Sequence, residues 1–144
     1  MEKINTLWDE EYRHAYCGIK TPDGNTVVGE AICHPQDVDM VSEKTGCTIA
    51  ERRAYIKYMQ YQKENILKPE LKALKKFYNV VNQSKYYDEQ DYTNQMLIRH
   101  IKRLEEDIKA LKQEIETEKI NLRDYISTKD TFYQEVRKRR QIDK

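Results

Sequence analysis

The chain has 144 residues and a mass of 17.4 kDa, which suits one modest core with an extension. Hydrophobic residues make up 38% and charged residues 35%, and the mean hydropathy is −0.98, so long helices with solvated outer faces are expected. No run approaches the roughly 20 consecutive apolar residues that span a bilayer. The amino terminus also lacks the layout of a signal peptide, so no membrane association and a cytoplasmic location are predicted.

The charge is unevenly distributed. Residues 1–50 contain four basic and nine acidic side chains, whereas residues 51–85 contain nine basic and three acidic ones. The net charge of +1 therefore hides a basic middle segment. Three cysteines without Cys-x-x-Cys spacing indicate reduced thiols and no disulfide framework.

Residues 1–47 are predicted to form a β-hairpin followed by a short helical turn. The Pro22-Asp23-Gly24-Asn25 sequence separates two runs of apolar and β-branched residues, which is a hairpin signal. A two-residue Asp-Gly loop would pair Ile19 with Val28 and Ala15 with Ile32, whereas a three-residue loop would shift this register. The helical turn, residues 36–45, is expected to end at Gly46.

Residues 48–83 are predicted to form a basic helix. Thr48 and Glu51 have the spacing of a capping box, so the helix should begin near Ile49. Pro69 removes one helical hydrogen bond, so a kink or brief break is expected near Lys68. Residues 84–91 are the predicted hinge.

Residues 92–136 carry the most regular pattern, a heptad repeat with isoleucine at a and leucine at d. Asp107 would meet Lys112, and Glu114 would meet Lys119, in a parallel dimer, which favours that arrangement over an antiparallel one. The alternative is that the helix of residues 49–81 folds back on the same seam. The predicted oligomer interface comprises Leu97, Ile101, Leu104, Ile108, Leu111, Ile115, Leu122 and Tyr125.

Cations and tyrosines alternate along the middle helix, and a basic tail, residues 137–144, ends the chain. Cations neutralise phosphates and aromatic rings stack on bases, so the surface suits nucleic acid; an acidic protein partner would use the same residues. The predicted binding residues are Arg52, Arg53, Lys57, Tyr58, Tyr61, Lys72, Lys75, Lys76, Arg137, Lys138, Arg139 and Arg140.

Catalytic and metal-binding patterns are weak. His14 would face Cys33 in the predicted hairpin, with Cys17 and His34 nearby, but none of these pairs has zinc-site spacing. The sequence also lacks a nucleophile elbow and a phosphate-binding glycine loop. The expectation is a protein that is not an enzyme and needs neither a metal nor a cofactor.

The run from Val28 to Asp37, with Gly-x-Ala-x-Cys-x-Pro-x-Asp-like spacing, leads to an Ala- and Arg-rich helix opening at residues 50–54. This pattern resembles small proteins of Gram-positive phages and prophages, although the insert of residues 38–47 departs from it. The resemblance implies a phage accessory protein that binds and blocks a host complex, such as a CRISPR effector or another defence system, in the host cytoplasm.

The sequence therefore predicts an α+β, mainly helical fold with an N-terminal β-hairpin packed on helices and a long C-terminal coiled-coil helix. The predicted function is that of a non-enzymatic inhibitor or adaptor that binds a host protein or ribonucleoprotein complex. The alternative is a dimeric protein that binds nucleic acid through the basic face of residues 52–78.

Overall fold

The computed structural model describes residues 2–33, 41–84 and 92–142. Its elements are the strands β1 (Glu2–Asp9), β2 (His14–Lys20) and β3 (Thr26–Ala31) and the helices α1 (Glu43–Tyr61), α2 (Lys68–Asn82) and α3 (Tyr92–Ile142). The predicted α+β, mainly helical class is confirmed, with an N-terminal antiparallel sheet packed on a helix and a long C-terminal helix. Two compact units are present, one of residues 1–58 and 116–144 and one of residues 59–115.

The sheet has three strands in the order β1-β2-β3, one more than the predicted hairpin. Strand β1 was missed because its sequence, EKINTLWD, is mostly polar and does not alternate cleanly. A register irregularity between Lys3 and Asn5 interrupts its pairing with β2. The turn into β2 is held by the Asp9 carboxylate, which accepts hydrogen bonds from the backbone N–H groups of Glu11 and Tyr12 at 3.0 and 3.1 Å.

The predicted register of the β2–β3 hairpin is wrong by one residue. Ile19 pairs with Val27 rather than Val28, and Ala15 with Ala31 rather than Ile32. The loop has three residues, because Thr21 N–H donates to the Asn25 carbonyl at 2.8 Å and so closes one further pair. Gly24, with φ of 91°, takes the left-handed position that such a loop requires.

Because side chains alternate along a strand, this shift of one residue exchanges the inward-facing and outward-facing side chains of β3. Val28 and Ile32, predicted to face the core, are 47% and 63% exposed, whereas Ala31 is 7% exposed. Gly29, which also lies on the inner face, is buried. The inner face therefore presents small residues at two neighbouring pairs, where Gly29 pairs with the fully buried Cys17 and Ala31 pairs with Ala15.

Helix α1 packs against this inner face at very short range. A Cβ atom at Gly29 would overlap the backbone nitrogen of Ala54 and the carbonyl oxygen of Ala50, and would lie 2.8 Å from the Ala54 Cα. Both alanines have no exposed surface. The helix backbone therefore rests on the strand backbone, and only glycine fits at position 29.

Helix α1 also begins earlier than predicted, at Glu43. Ser42 is the capping residue, since its hydroxyl oxygen accepts a hydrogen bond from Thr45 N–H at 3.1 Å. Thr48, the predicted cap, lies inside the helix and donates its hydroxyl to the Lys44 carbonyl at 2.7 Å. The predicted stop at Gly46 is wrong, because this glycine makes room for the Trp8 ring, whose Cζ3 would lie 2.5 Å from a Cβ there.

The chain between α1 and α2 remains helical but changes its winding. Residues Gln62–Leu67 form a π-helical segment directly before Lys68, where the sequence predicted a kink or brief break. Pro69 lies in the first turn of α2, the part of an α-helix that tolerates a missing N–H group. The wider π turn accommodates the proline without ending the helix.

Helix α3 is longer than predicted, because residues 137–142 continue it rather than forming a tail. No glycine or proline interrupts this stretch, and Arg139 and Arg140 in the last turn interact favourably with the helix dipole. Across residues 2–33, 41–84 and 92–142, no helix combines the length and apolar character of a membrane span. The predicted hinge has only residue 84 inside the described ranges.

Replacing Gly29 by alanine should reduce the free energy of unfolding by about 2–4 kcal/mol, because the added methyl group forces α1 away from the sheet. Urea denaturation followed by circular dichroism measures this loss. Glu30→Ala, at the exposed neighbouring position, is the matched control and should change stability by less than about 0.5 kcal/mol. Equal stability of Gly29→Ala and wild type would show that the close packing is incorrect.

Candidate binding surface

The residues of the predicted basic surface differ in how far they are exposed. Tyr58 lies in the core with 7% exposure, so its ring has little surface to offer a partner. Tyr61 is half-buried. Arg52 is exposed, and its guanidinium carbon lies 5.0 Å from the centre of the Tyr125 ring, a cation–π contact within the first unit.

Two of the predicted cations donate hydrogen bonds to backbone carbonyls of the sheet. Arg53 Nη1 donates to the Glu30 carbonyl and Lys57 Nζ to the Val28 carbonyl, both at 2.8 Å. Strand β3 lies at the edge of the sheet formed by the described residues, so within that sheet these carbonyls have no neighbouring strand on their outer side. Because the two cations stand four residues apart, they lie on the same face of α1 and satisfy alternate carbonyls along the strand.

Four lysines of α2 define the candidate site, which we call the lysine face: Lys68, Lys72, Lys75 and Lys76. They fall within about 100° of the helix circumference at 100° per residue, and each is exposed. Together with Leu71 and Asn79 they line a shallow cleft in the second unit. The sequence predicted three of these four residues.

Charge pairing leaves most of the lysine face positive. Lys68 Nζ lies 2.8 Å from the Glu64 carboxylate, whose pKa is lowered chiefly by that hydrogen bond. Lys75 lies 3.6 Å from Glu105 on α3. Both pairs are about half exposed, and such pairs hold a side chain only weakly. The face therefore has an excess of positive charge and attracts an acidic partner.

An apolar stripe, which sequence analysis missed, lies beside the lysine face. It comprises Ala73, Phe77 and Val80, and the two larger side chains are 59% and 65% exposed. The spacing of four and three residues aligns them on one side of α2. A separate, half-buried side of the helix is formed by Leu71, Leu74, Tyr78 and Val81. The helical spacing of Ala73, Phe77 and Val80 was the signal in the sequence that could have revealed this stripe.

The predicted oligomer interface is partly covered within one chain. Ile101, Leu104, Ile115 and Leu122 are between 2% and 9% exposed. Leu97, Ile108, Leu111 and Tyr125 are half-buried. In the second unit, α2 and the first half of α3 are linked by the Lys75–Glu105 ion pair and by a contact of 3.8 Å between the Glu70 carboxylate and His100 Nε2. The predicted fold-back of the middle helix thus accounts for part of this burial, and a dimer stays a prediction.

The basic residues at the end of the chain lie on the last turns of α3. Arg137 is half-buried, whereas Lys138, Arg139 and Arg140 are exposed. They belong to the first unit, so they are considered separately from the lysine face.

The thiols and imidazoles give no chemical centre among the described residues. No group of three potential metal ligands occurs there, and His34 lies outside the described ranges. His14 pairs with Asp9 on the β1 side, and the β2–β3 pairing, which ends at Ala15 with Ala31, does not include a His14–Cys33 pair. Burial, followed by the nearby Glu43 and Glu51 carboxylates, raises the pKa of Cys47, so its thiol is less ionised and less nucleophilic at neutral pH.

Removing both cations from the β3 edge should expose its carbonyls. We expect Arg53→Met with Lys57→Met to lower the free energy of unfolding by roughly 1–2 kcal/mol and to increase concentration-dependent association, because an uncapped edge can pair with another chain. Urea denaturation and light scattering test both effects. Lys44→Met, on the same helix but away from the strand, is the control, and identical behaviour of the two variants would contradict the capping role.

The predicted dimer should have a mass of twice 17.4 kDa by light scattering coupled to size exclusion. Ile108→Asp with Leu111→Asp should convert it to a monomer, because both half-buried side chains belong to the predicted seam. Lys109→Asp, at the exposed position between them, should leave the mass unchanged. A monomeric wild type at every concentration would refute the dimer.

No protein-family model, curated protein or solved structure matches this chain, so its likeness to phage accessory proteins stays a prediction from the sequence pattern.

Proposed function

We propose that this chain is a non-enzymatic accessory protein that binds an acidic surface of a larger complex through α2. The observation that supports the proposal is the lysine face beside the exposed stripe of Ala73, Phe77 and Val80. Solvated helices commonly carry lysines, but exposed phenylalanine and valine in register on the same helix mark an interaction site.

The apolar stripe favours a protein partner over nucleic acid. Side chains at four- and three-residue spacing fit against a partner helix, as in a helix packed in a groove. The neighbouring lysines would then pair with acidic side chains at the rim of the interface, where they increase the association rate and select the partner. The partner we propose is therefore a protein with an acidic, partly apolar helix or groove.

The wider role follows from the resemblance in the sequence. A phage-type inhibitor or adaptor acts stoichiometrically on a host protein or ribonucleoprotein complex in the cytoplasm, including CRISPR effectors and other defence systems. An inhibitor or adaptor of this kind acts by covering a surface of the host complex, so it needs a binding interface rather than a catalytic site. The exposed face of α2 is the interface that we propose.

Nucleic-acid binding is the second candidate. Lys72 and Lys76 lie one helical turn apart and would neutralise phosphates, while the exposed Phe77 ring would stack on an unpaired base. This function needs the same lysines, but it does not need Val80.

Paired variants distinguish these functions. We expect Lys72→Glu with Lys76→Glu, and separately Phe77→Ser with Val80→Ser, to abolish capture of a host protein from lysate. Exposed α2 residues contribute little to folding, so each variant should remain folded by circular dichroism. Arg103→Glu with Lys109→Glu, which changes the charge equally on exposed positions of α3 outside the predicted dimer seam, should retain capture.

Binding to generic single- and double-stranded DNA and RNA over a salt series completes the test. Steeply salt-dependent binding that disappears in the lysine variant but persists in Val80→Ser would favour the nucleic-acid function. Capture that survives both α2 variants would refute the proposal for this surface.

A further inference from the structure

The first unit contains a cleft that the proposed function does not use. Its volume is about 240 Å³, and its walls come from the end of β3, the beginning of α1 and the later part of α3. Ala31, Ile49 and Ile126 give it an apolar lining. A cavity of this kind suits part of a small ligand or a single side chain with its attached polar group.

Three cations from distant parts of the chain meet at this cleft, namely Arg13, Arg53 and Lys129, while Asp130 is the one acidic residue among the described lining residues. The cleft therefore has an excess of two positive charges. In a concave site with apolar walls, such charges attract anions more strongly than they would on an open surface.

The cations are held in place by contacts around the cleft. Arg13 has a left-handed backbone, with φ of 55°, and its guanidinium carbon lies 6.0 Å from the centre of the Trp8 ring. Its Nη2 lies 3.3 Å from the Glu10 carboxylate, and its Nη1 donates to the Val41 carbonyl at 3.4 Å.

The other two cations are anchored independently of Arg13. Arg53 is held by its hydrogen bond to the Glu30 carbonyl at 2.8 Å. Lys129 Nζ lies 5.6 Å from the centre of the Tyr125 ring. These contacts limit side-chain freedom before a ligand arrives, which reduces the entropy lost on binding.

We infer that this cleft binds a carboxylate attached to a small apolar group. The guanidinium groups would receive the carboxylate through paired hydrogen bonds, and the apolar lining would hold the attached group. A free small carboxylic acid and the carboxyl-terminal residue of a peptide both present this chemistry.

Binding of a ligand in the cleft can be followed by the intrinsic fluorescence of Trp8. Trp8 is the one tryptophan in the sequence, and its ring contacts two residues that line the cleft, Arg13 and Gly46. Titration with 4-methylpentanoate should therefore change Trp8 emission. The neutral amide of the same acid should bind at least about tenfold more weakly, because it cannot form charge-assisted hydrogen bonds.

A short peptide that ends in leucine, tested beside its amidated form, shows whether the bound carboxylate belongs to a peptide terminus or to a free small acid. Tighter binding of the free-carboxyl peptide than of 4-methylpentanoate supports a peptide terminus, and the reverse supports a small molecule. Equal binding of acids and amides would overturn the inference, as would no change in Trp8 emission or in NMR chemical shifts with any carboxylate.

Substitutions of the lining residues test whether the change in Trp8 emission comes from binding in the cleft. Arg13→Asn preserves a residue that tolerates the left-handed backbone, and Lys129→Gln removes only a charge; each should weaken 4-methylpentanoate binding about three- to tenfold. Lys20→Gln, at an exposed position outside the cleft, should bind as wild type does. If all three variants bound equally, the ligand would be elsewhere and the inference would fail.

Discussion

The contact between Gly29 and the backbone of α1 at Ala50 and Ala54 is the constraint on which the first unit depends. A small domain must cover one face of its sheet, and here the α1 backbone rests directly on Gly29, while larger side chains, including Ile19 and Tyr58, complete the same core. Close approach allows the helix side chains to reach the sheet margins. Thr6 on β1 donates its hydroxyl to the Glu51 carboxylate at 3.0 Å, while Arg53 and Lys57 reach the β3 edge.

The close packing of α1 on the sheet also explains why the cations of α1 and α2 differ in their roles. On α1 the cations face a strand edge or an aromatic ring, so they stabilise the fold and suppress unwanted strand pairing. On α2 the lysines remain exposed beside Phe77 and Val80. A basic stretch in a sequence is therefore not automatically one surface, because partners elsewhere in the fold decide which cations stay available.

The apolar residues of α3 are likewise divided between the two units. Its heptad residues hide their apolar surface partly within one chain, and residues 92–115 and 116–142 belong to different units. An a/d pattern establishes that one side of a helix must be covered, but a partner from the same chain covers it as well as one from another chain. The cleft at Arg13, Arg53 and Lys129 likewise combines residues whose separation in the sequence conceals their proximity.

The sequence by itself determined the fold class, the turn at residues 22–25 and the long final helix, because these follow from local chemistry and from patterns over a few turns. Only the tertiary structure decided the register of β3, the roles of Gly29 and Gly46, the existence of β1 and the division of the basic residues. Each of these depends on an atom from a distant segment: the Trp8 ring makes Gly46 a packing residue rather than a helix end, and the α1 backbone turns Gly29 and Ala31 inward. Local preference differs little between such alternatives, so long-range packing selects among them.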